Sequence, residues 1–209
     1  MQSSRITSPI KKPIYCNEEI TAACDLINSS YDRKLSYIAE MIKGDPLFDE
    51  ERARCYDYSC LLSEHMLIDM FDWVSKNGWD IDYPVNGKKI ELKNRNLVPI
   101  TYRPGKRVQL TRLNGNAITE YDCLVKINGN WVIGEAKCRE NSFRRGEAKN
   151  KIKKLGKQLD EDVGFILGVP KNHEMNTSEK RKEVFESKGG IVVSFPYSWE
   201  EIESFAETL

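Results

Sequence analysis

The sequence has little histidine and no Cys-x-x-Cys pair. Its only histidines are His65 and His173, and its six cysteines stand apart along the chain. A structural zinc site is therefore not predicted, because the usual ligand spacings are absent. We expect most of the thiols to be buried. The alternative is one or two disulfides, which in the cytosol would be expected only in a protein from a hyperthermophile. The cysteines are Cys16, Cys24, Cys55, Cys60, Cys123 and Cys138.

The chain also lacks a long hydrophobic run and a net charge. No apolar stretch approaches the roughly 20 residues of a membrane span, and the polar segment from Met1 to Lys12 does not resemble a signal peptide. Lys plus Arg (32) equals Asp plus Glu (32), so the overall charge argues neither for nor against nucleic acid as a partner. We expect a globular cytoplasmic protein with no membrane partner.

Helix and strand signals alternate in the order expected of an α/β protein. Strands are predicted at 80–85, 88–93, 98–102, 107–113, 117–127, 131–138, 163–169 and 191–195. Helices are predicted at 17–43 (in two pieces), 49–76, 143–159, 178–187 and 198–208. The order predicts a mixed central β-sheet flanked by helices on both faces. Residues 1–45 form an N-terminal helical extension in this interpretation, and residues 46–209 form the α/β domain.

Asn128-Gly129 is the strongest hairpin signal in the chain, because it joins two apolar runs. A two-residue turn there pairs Ile127 with Asn130. Counting outward along both strands then places Asp122 directly opposite Glu135. Two facing carboxylates are destabilising unless a cation lies between them.

A metal site is predicted where these acids meet. Side chains alternate along a strand, so Lys137 shares a face with Glu135. Carboxylates from Asp122 and Glu135, with the carbonyl of Ala136, suit Mg²⁺ or Mn²⁺. Lys137 would then orient an attacking water or neutralise charge in the transition state. The alternative is a surface ion pair between Glu135 and Lys137.

Asp122, followed by Glu135-Ala136-Lys137 at the end of a second strand, resembles the motif of the PD-(D/E)XK nuclease superfamily. The resemblance covers about residues 49–195, and Tyr121 stands where the family has proline. It implies a restriction-endonuclease-like core and a Mg²⁺-dependent deoxyribonuclease, with branched DNA or recombination and replication intermediates as candidate substrates. With its helical extension, the whole chain is similar to nucleases of spindle-shaped viruses that infect hyperthermophilic archaea.

Glu64 is a further candidate for the catalytic site. On a helical wheel it falls within the apolar stripe of the helix predicted at 49–76, beside Leu61, Leu67 and Phe71. A carboxylate facing the core is costly unless it is paired or binds a metal, and many nucleases that the motif resembles carry such a glutamate near the metal. The alternative is a glutamate at the edge of the stripe that reaches solvent or a lysine.

A basic segment follows the predicted site directly and is suited to the phosphate backbone of DNA. A solvated helix face is the alternative. The resemblance also implies that a polar residue on this helix, Lys154 or Gln158, reaches the scissile phosphate. The candidate DNA-binding residues are Arg139, Arg144, Arg145, Lys149, Lys153, Lys154 and Gln158.

The sequence as a whole predicts a divalent-metal-dependent nuclease that hydrolyses DNA. A homodimer is expected, because a duplex or junction presents two strands to cut. Two alternatives remain: a DNA-binding protein that keeps the fold without cleaving, and an interaction protein whose acids and lysine form an ion-pair network.

Overall fold

The computed structural model describes residues 18–43, 58–84, 90–102, 107–138, 145–187 and 190–209. Where both ends of a predicted helix are described, the helix begins and ends near the predicted residues. The predicted helical residues 17, 49–57 and 143–144 lie outside the described residues. The helices are α1 (Glu18–Ser30), α2 (Leu35–Lys43), α3 (Tyr58–Lys76), α4 (Arg145–Leu159), α5 (Glu174–Thr177), α6 (Glu179–Glu186) and α7 (Trp199–Ala206).

The described strands form two sheets. A five-stranded sheet has the order β1-β5-β6-β7-β8, and a three-stranded sheet has the order β2-β3-β4. The larger sheet is antiparallel through β1, β5 and β6 and parallel through β6, β7 and β8, so the predicted mixed-sheet α/β class is confirmed. The strands are β1 (Ile81–Asp82), β2 (Leu97–Tyr102), β3 (Arg107–Arg112), β4 (Ala117–Tyr121), β5 (Cys123–Ile127), β6 (Asn130–Ala136), β7 (Gly164–Val169) and β8 (Gly190–Ser194).

Each face of the larger sheet packs against its own hydrophobic core, because side chains alternate along every strand. On one face, Val132 and Ala136 join the apolar residues of α1, α2 and α3. On the other face, Trp131 and Ile133 join those of α4 and the smaller sheet. Glu135 and Lys137 continue the alternation of Trp131 and Ile133, so their side chains project toward α4.

The predicted hairpin is confirmed. Asn128 has φ 47° and Gly129 has φ 81°, the positive values that a two-residue turn of this kind requires. Ile127 pairs with Asn130, and the register continues to Cys123 opposite Gly134. The ladder ends there, so Asp122 and Glu135 are the residues next to its last pair on the two chain segments.

The prediction of a single strand over 117–127 is wrong, because the chain changes sheets at Asp122. β4 pairs with β3 in the smaller sheet, whereas β5 pairs with β6 in the larger one. Aspartate is a poor strand former whose side chain competes for backbone N–H groups. Here the Ala136 N–H donates to Asp122 Oδ2 at 2.9 Å, so the side chain takes a donor that a continued strand would have used.

Two other predictions were wrong in detail. Of residues 80–84, the described part of the predicted strand 80–85, only Ile81–Asp82 forms a strand, and the described part of 88–93 forms none. The Lys93 N–H instead donates to the Gln158 carbonyl at 2.8 Å, which ties this segment to the end of α4 rather than to a strand. A short helix, α5, was not predicted. It begins after His173, whose buried ring accepts a hydrogen bond from the Met175 N–H.

The N-terminal helices are part of the main core. Ile20 and Ile27 of α1 and Ile38 of α2 are buried in the same cluster as Phe71 of α3. The division into an extension (1–45) and a domain (46–209) stays a prediction. Across the described ranges, no helix has the length and apolar character needed to cross a membrane.

A buried hydrogen bond anchors the end of α1 to α3, and we expect Tyr31→Phe to lower the free energy of unfolding by about 2 kcal/mol. The Tyr31 hydroxyl donates to Asp69 Oδ2 at 3.0 Å, and Arg33 lies 3.5 Å from the same oxygen. Burial raises the pKa of Asp69, and the bond from Tyr31 opposes that rise, so its loss leaves a buried carboxyl less satisfied.

Urea unfolding of matched variants checks this prediction. Tyr37→Phe is the control, because Tyr37 is 43% exposed and keeps its ring in the variant. We expect this control to change the free energy of unfolding by no more than about 0.5 kcal/mol. Equal losses in the two variants would contradict the assigned role of Tyr31.

Candidate active site

Asp122 and Glu135 lie at the open end of the β5–β6 hairpin, away from its turn. Asp122 occupies the bend between β4 and β5, and its carboxylate turns toward β6 to accept the Ala136 N–H. Glu135 lies on β6, one residue before Ala136, and pairs with Leu167 of β7. The two acids are close enough for the charge of Asp122 to raise the pKa of Glu135.

Glu135 is a buried carboxyl held between two lysines. Its side chain is 2% exposed, with Lys151 Nζ 2.5 Å from Oε1 and Lys137 Nζ 3.7 Å from Oε2. Burial first, and Asp122 second, raise its pKa from 4.5 to about 8, although both lysines oppose that rise. The two lysines therefore offset only part of the cost of placing this charge beside another acid in the interior.

Sequence reasoning placed Lys151 in the basic segment but missed its ion pair with Glu135. This lysine lies on α4, and its ammonium also lies 5.9 Å from the centre of the buried Tyr121 ring. A signal was present, because Ala148, Ile152 and Leu155 form the buried stripe of α4 and Lys151 falls within it. A lysine on an inward-facing stripe calls for a carboxylate partner, and Glu135 is that partner.

Lys151 supplies a positive charge directly at the Glu135 carboxylate. Among the described residues, no three His, Cys, Asp or Glu side chains form a group that could hold a metal ion. Mg²⁺, however, usually takes one or two carboxylates and completes its shell with water and substrate phosphates. Asp122 and Glu135 supply two carboxylates, and Lys151 occupies one oxygen of Glu135.

Glu64 lies in a different layer from this pair. It belongs to α3, which packs against the face of the larger sheet that carries Val132 and Ala136. Glu135 projects to the opposite face, where Lys151 contacts it. Glu64 is 8% exposed, so its side chain is buried. The structure does not gather it with the two acids, and its supporting role stays a prediction.

Three of the candidate DNA-binding lysines, Lys149, Lys153 and Lys154, are exposed to solvent on α4. Lys154 also lines a cavity of about 640 Å³ between α4 and the smaller sheet, together with Gln158 and Arg112. Gln158 accepts the Asn94 N–H at 3.3 Å.

Lys151 is better placed than Gln158 to reach a phosphate at the acids. Gln158 lies two helical turns further along α4, about 10.5 Å by the rise of 1.5 Å per residue. Only the backbone of Arg145 is described, at the start of α4. Arg139 and Arg144 lie outside the described residues.

The site thus combines two neighbouring carboxylates, two lysines and a basic helix. The two acids carry negative charge that attracts cations, and the two lysines carry positive charge that attracts anions such as phosphate. The chain matches no protein-family model, no curated protein and no solved structure.

Proposed function

We propose that this protein is a divalent-metal-dependent nuclease that hydrolyses phosphodiester bonds of DNA. The observation that carries the proposal is the buried Glu135 carboxyl, which lies beside Asp122 and between Lys137 and Lys151. A purely structural ion pair needs one lysine for one acid and gains nothing from a second carboxylate beside it.

Asp122 and Glu135 would hold Mg²⁺ or Mn²⁺, with the carbonyl of Ala136 as a further oxygen ligand. When bound, the ion supplies a Lewis acid that polarises the scissile phosphate. Lys137 orients the attacking water, and Lys151 is placed to neutralise charge on the phosphate. The oxygen of the water joins phosphorus, the bond to the 3′ oxygen breaks, and a proton passes to that oxygen, which leaves a 5′ phosphate as the family resemblance implies.

The resemblance also motivates finer proposals. The core is of the restriction-endonuclease-like type, and Glu64 supports the site from α3. The protein works as a homodimer on branched DNA or on recombination and replication intermediates. It acts in the cytoplasm, which for a viral protein is that of the host cell.

A cleavage panel tests the proposal. Linear, single-stranded and branched DNAs are incubated with the protein and Mg²⁺ or Mn²⁺, and the incubation is repeated with Asp122→Ala and Lys137→Ala. We expect metal-dependent products from the wild type and little product from either variant. Cleavage that survives both substitutions would contradict the assigned residues.

A second function is favoured by the close contact of Lys151 with Glu135. Lys151 Nζ lies 2.5 Å from Glu135 Oε1, an oxygen that a metal would need as a ligand. A protein in which this pair persists would bind DNA without cleaving it. Salt-sensitive DNA binding with no product under any metal condition would support this alternative.

The exposed lysines of α4 make a separate prediction about affinity. We expect the variant with Lys149→Gln and Lys153→Gln to bind duplex DNA about tenfold more weakly, with the salt dependence reduced by about 1 per lysine. Fluorescence anisotropy over a range of salt concentrations measures both quantities. The control removes two exposed lysines that are not on α4, Lys34 and Lys180. Equal weakening in both variants would show that α4 is not the contact surface.

A further inference from the structure

Two thiols come together at the edge of the candidate site. Cys60 Sγ and Cys138 Sγ lie 2.7 Å apart. This separation is only about 0.65 Å longer than a disulfide bond of about 2.05 Å. A small displacement of either side chain therefore brings the two sulfur atoms to bonding distance.

The positions of the two cysteines make this contact chemically accessible. Cys60 lies near the start of α3 and is partly exposed, whereas Cys138 is 7% exposed and directly follows Lys137. A reagent in solution can reach the first sulfur, and the second lies within reach of the first. Cys24 and Cys123, in contrast, are each 0% exposed.

We propose that Cys60 and Cys138 are an oxidative modification site that closes to an intramolecular disulfide in the presence of a low-molecular-weight disulfide. The Cys60 thiolate attacks one sulfur of the reagent and expels the first thiolate. The Cys138 thiolate then attacks the Cys60 sulfur of the mixed disulfide and expels the second. Two S–H bonds are lost, one S–S bond forms, and the reagent is reduced to two thiols.

The cross-link ties α3 to the end of β6, one residue beyond Lys137. It joins positions 78 residues apart, so it restricts the unfolded chain strongly. We expect the oxidised protein to melt about 10 °C higher than the reduced protein. The cross-link is independent of nuclease activity, and its test requires no DNA.

The test uses the full chain equilibrated with oxidised and reduced glutathione, quenched in acid and alkylated under denaturing conditions. Digestion combines trypsin with a protease that cuts before aspartate. Cleavage at Asp57 separates Cys60 from Cys55, and cleavage after Lys126 separates Cys138 from Cys123. We expect mass spectrometry to find one linked peptide pair, Cys60 with Cys138.

Variants check the assignment through stability. Cys60→Ser is expected to abolish both the linked peptide and the redox dependence of the melting temperature, and Cys24→Ser is expected to retain both. Alkylation of all six thiols after oxidation, or a link from Cys60 to any other cysteine, would overturn the proposal. Peptide mapping of the wild type decides the matter even if a variant fails to fold.

Discussion

Replacing Glu135 with glutamine is expected to lower Mg²⁺-dependent DNA cleavage by about 10³-fold, or about 4 kcal/mol of transition-state stabilisation. Glutamine keeps the size of the side chain and an oxygen that can accept from Lys151. It loses the negative charge that holds the metal against Asp122. We expect DNA binding at low salt to persist, because the exposed lysines of α4 are unchanged.

The same substitution should not weaken the fold. Burial and Asp122 raise the pKa of Glu135 to about 8, so its ionised form is costly in the folded protein. At pH 6 the neutral acid already predominates in the folded protein and the glutamine oxygen can still accept from Lys151, so we expect the melting temperature measured at pH 6 to change little. A loss of activity therefore reports on chemistry rather than on unfolding.

Glu120→Gln is the matched control for this prediction. Glu120 is a half-buried acid on β4 that accepts from Gln109 Nε2 at 3.2 Å, in the other sheet. We expect its variant to cleave DNA at the wild-type rate, as measured under single-turnover conditions. Equal activity of Glu135→Gln and the wild type would remove Glu135 from the catalytic site.

Lys151→Met is expected to lower the free energy of unfolding by about 3 kcal/mol at pH 9 in metal-free protein. The side chains of Lys151 and Glu135 are 14% and 2% exposed, so removal of the lysine leaves a buried carboxylate without this ion-pair partner. Lys153→Met is the control, since Lys153 is an exposed lysine on the same helix. We expect its effect to stay within about 0.5 kcal/mol.

The effect of Lys151→Met should shrink as the pH falls. Lys151 stabilises the ionised form of Glu135, and that form gives way to the neutral acid as the pH falls through the folded pKa of about 8. At pH 6 the neutral acid predominates in the folded protein, and we expect a loss of about 1 kcal/mol. Denaturant unfolding with EDTA present, at both pH values, measures the difference.

A double-mutant cycle shows whether the loss comes from this pair. Adding Glu135→Gln to Lys151→Met removes the buried carboxylate charge that has lost its lysine, so the double variant should recover most of the stability at pH 9. Additive losses from the two substitutions would contradict the paired arrangement.

The hairpin was predictable from the sequence because its information is local. Asn128 and Gly129 adopt the positive φ values that define a two-residue turn, and the turn alone fixes the register. The neighbouring positions of Asp122 and Glu135 follow by counting. The alternation that places Lys137 on the face of Glu135 is equally local.

Other features depend on contacts that no local pattern encodes. The apolar run through Asp122 has the pattern of a single strand. It is divided between two sheets because β4 pairs with β3 and β5 pairs with β6. Lys151 reaches Glu135 because α4 packs across the larger sheet. The contact between Cys60 and Cys138 likewise depends on how α3 lies against β6.

Manganese binding tests the central claim most directly. Electron paramagnetic resonance can titrate Mn²⁺ into the wild type and into the variant that carries Asp122→Asn and Glu135→Gln. The account predicts one Mn²⁺ site in the wild type that is tighter than the background and is absent from the double variant. Equal binding by both proteins would contradict the claim that these neighbouring acids hold a divalent cation.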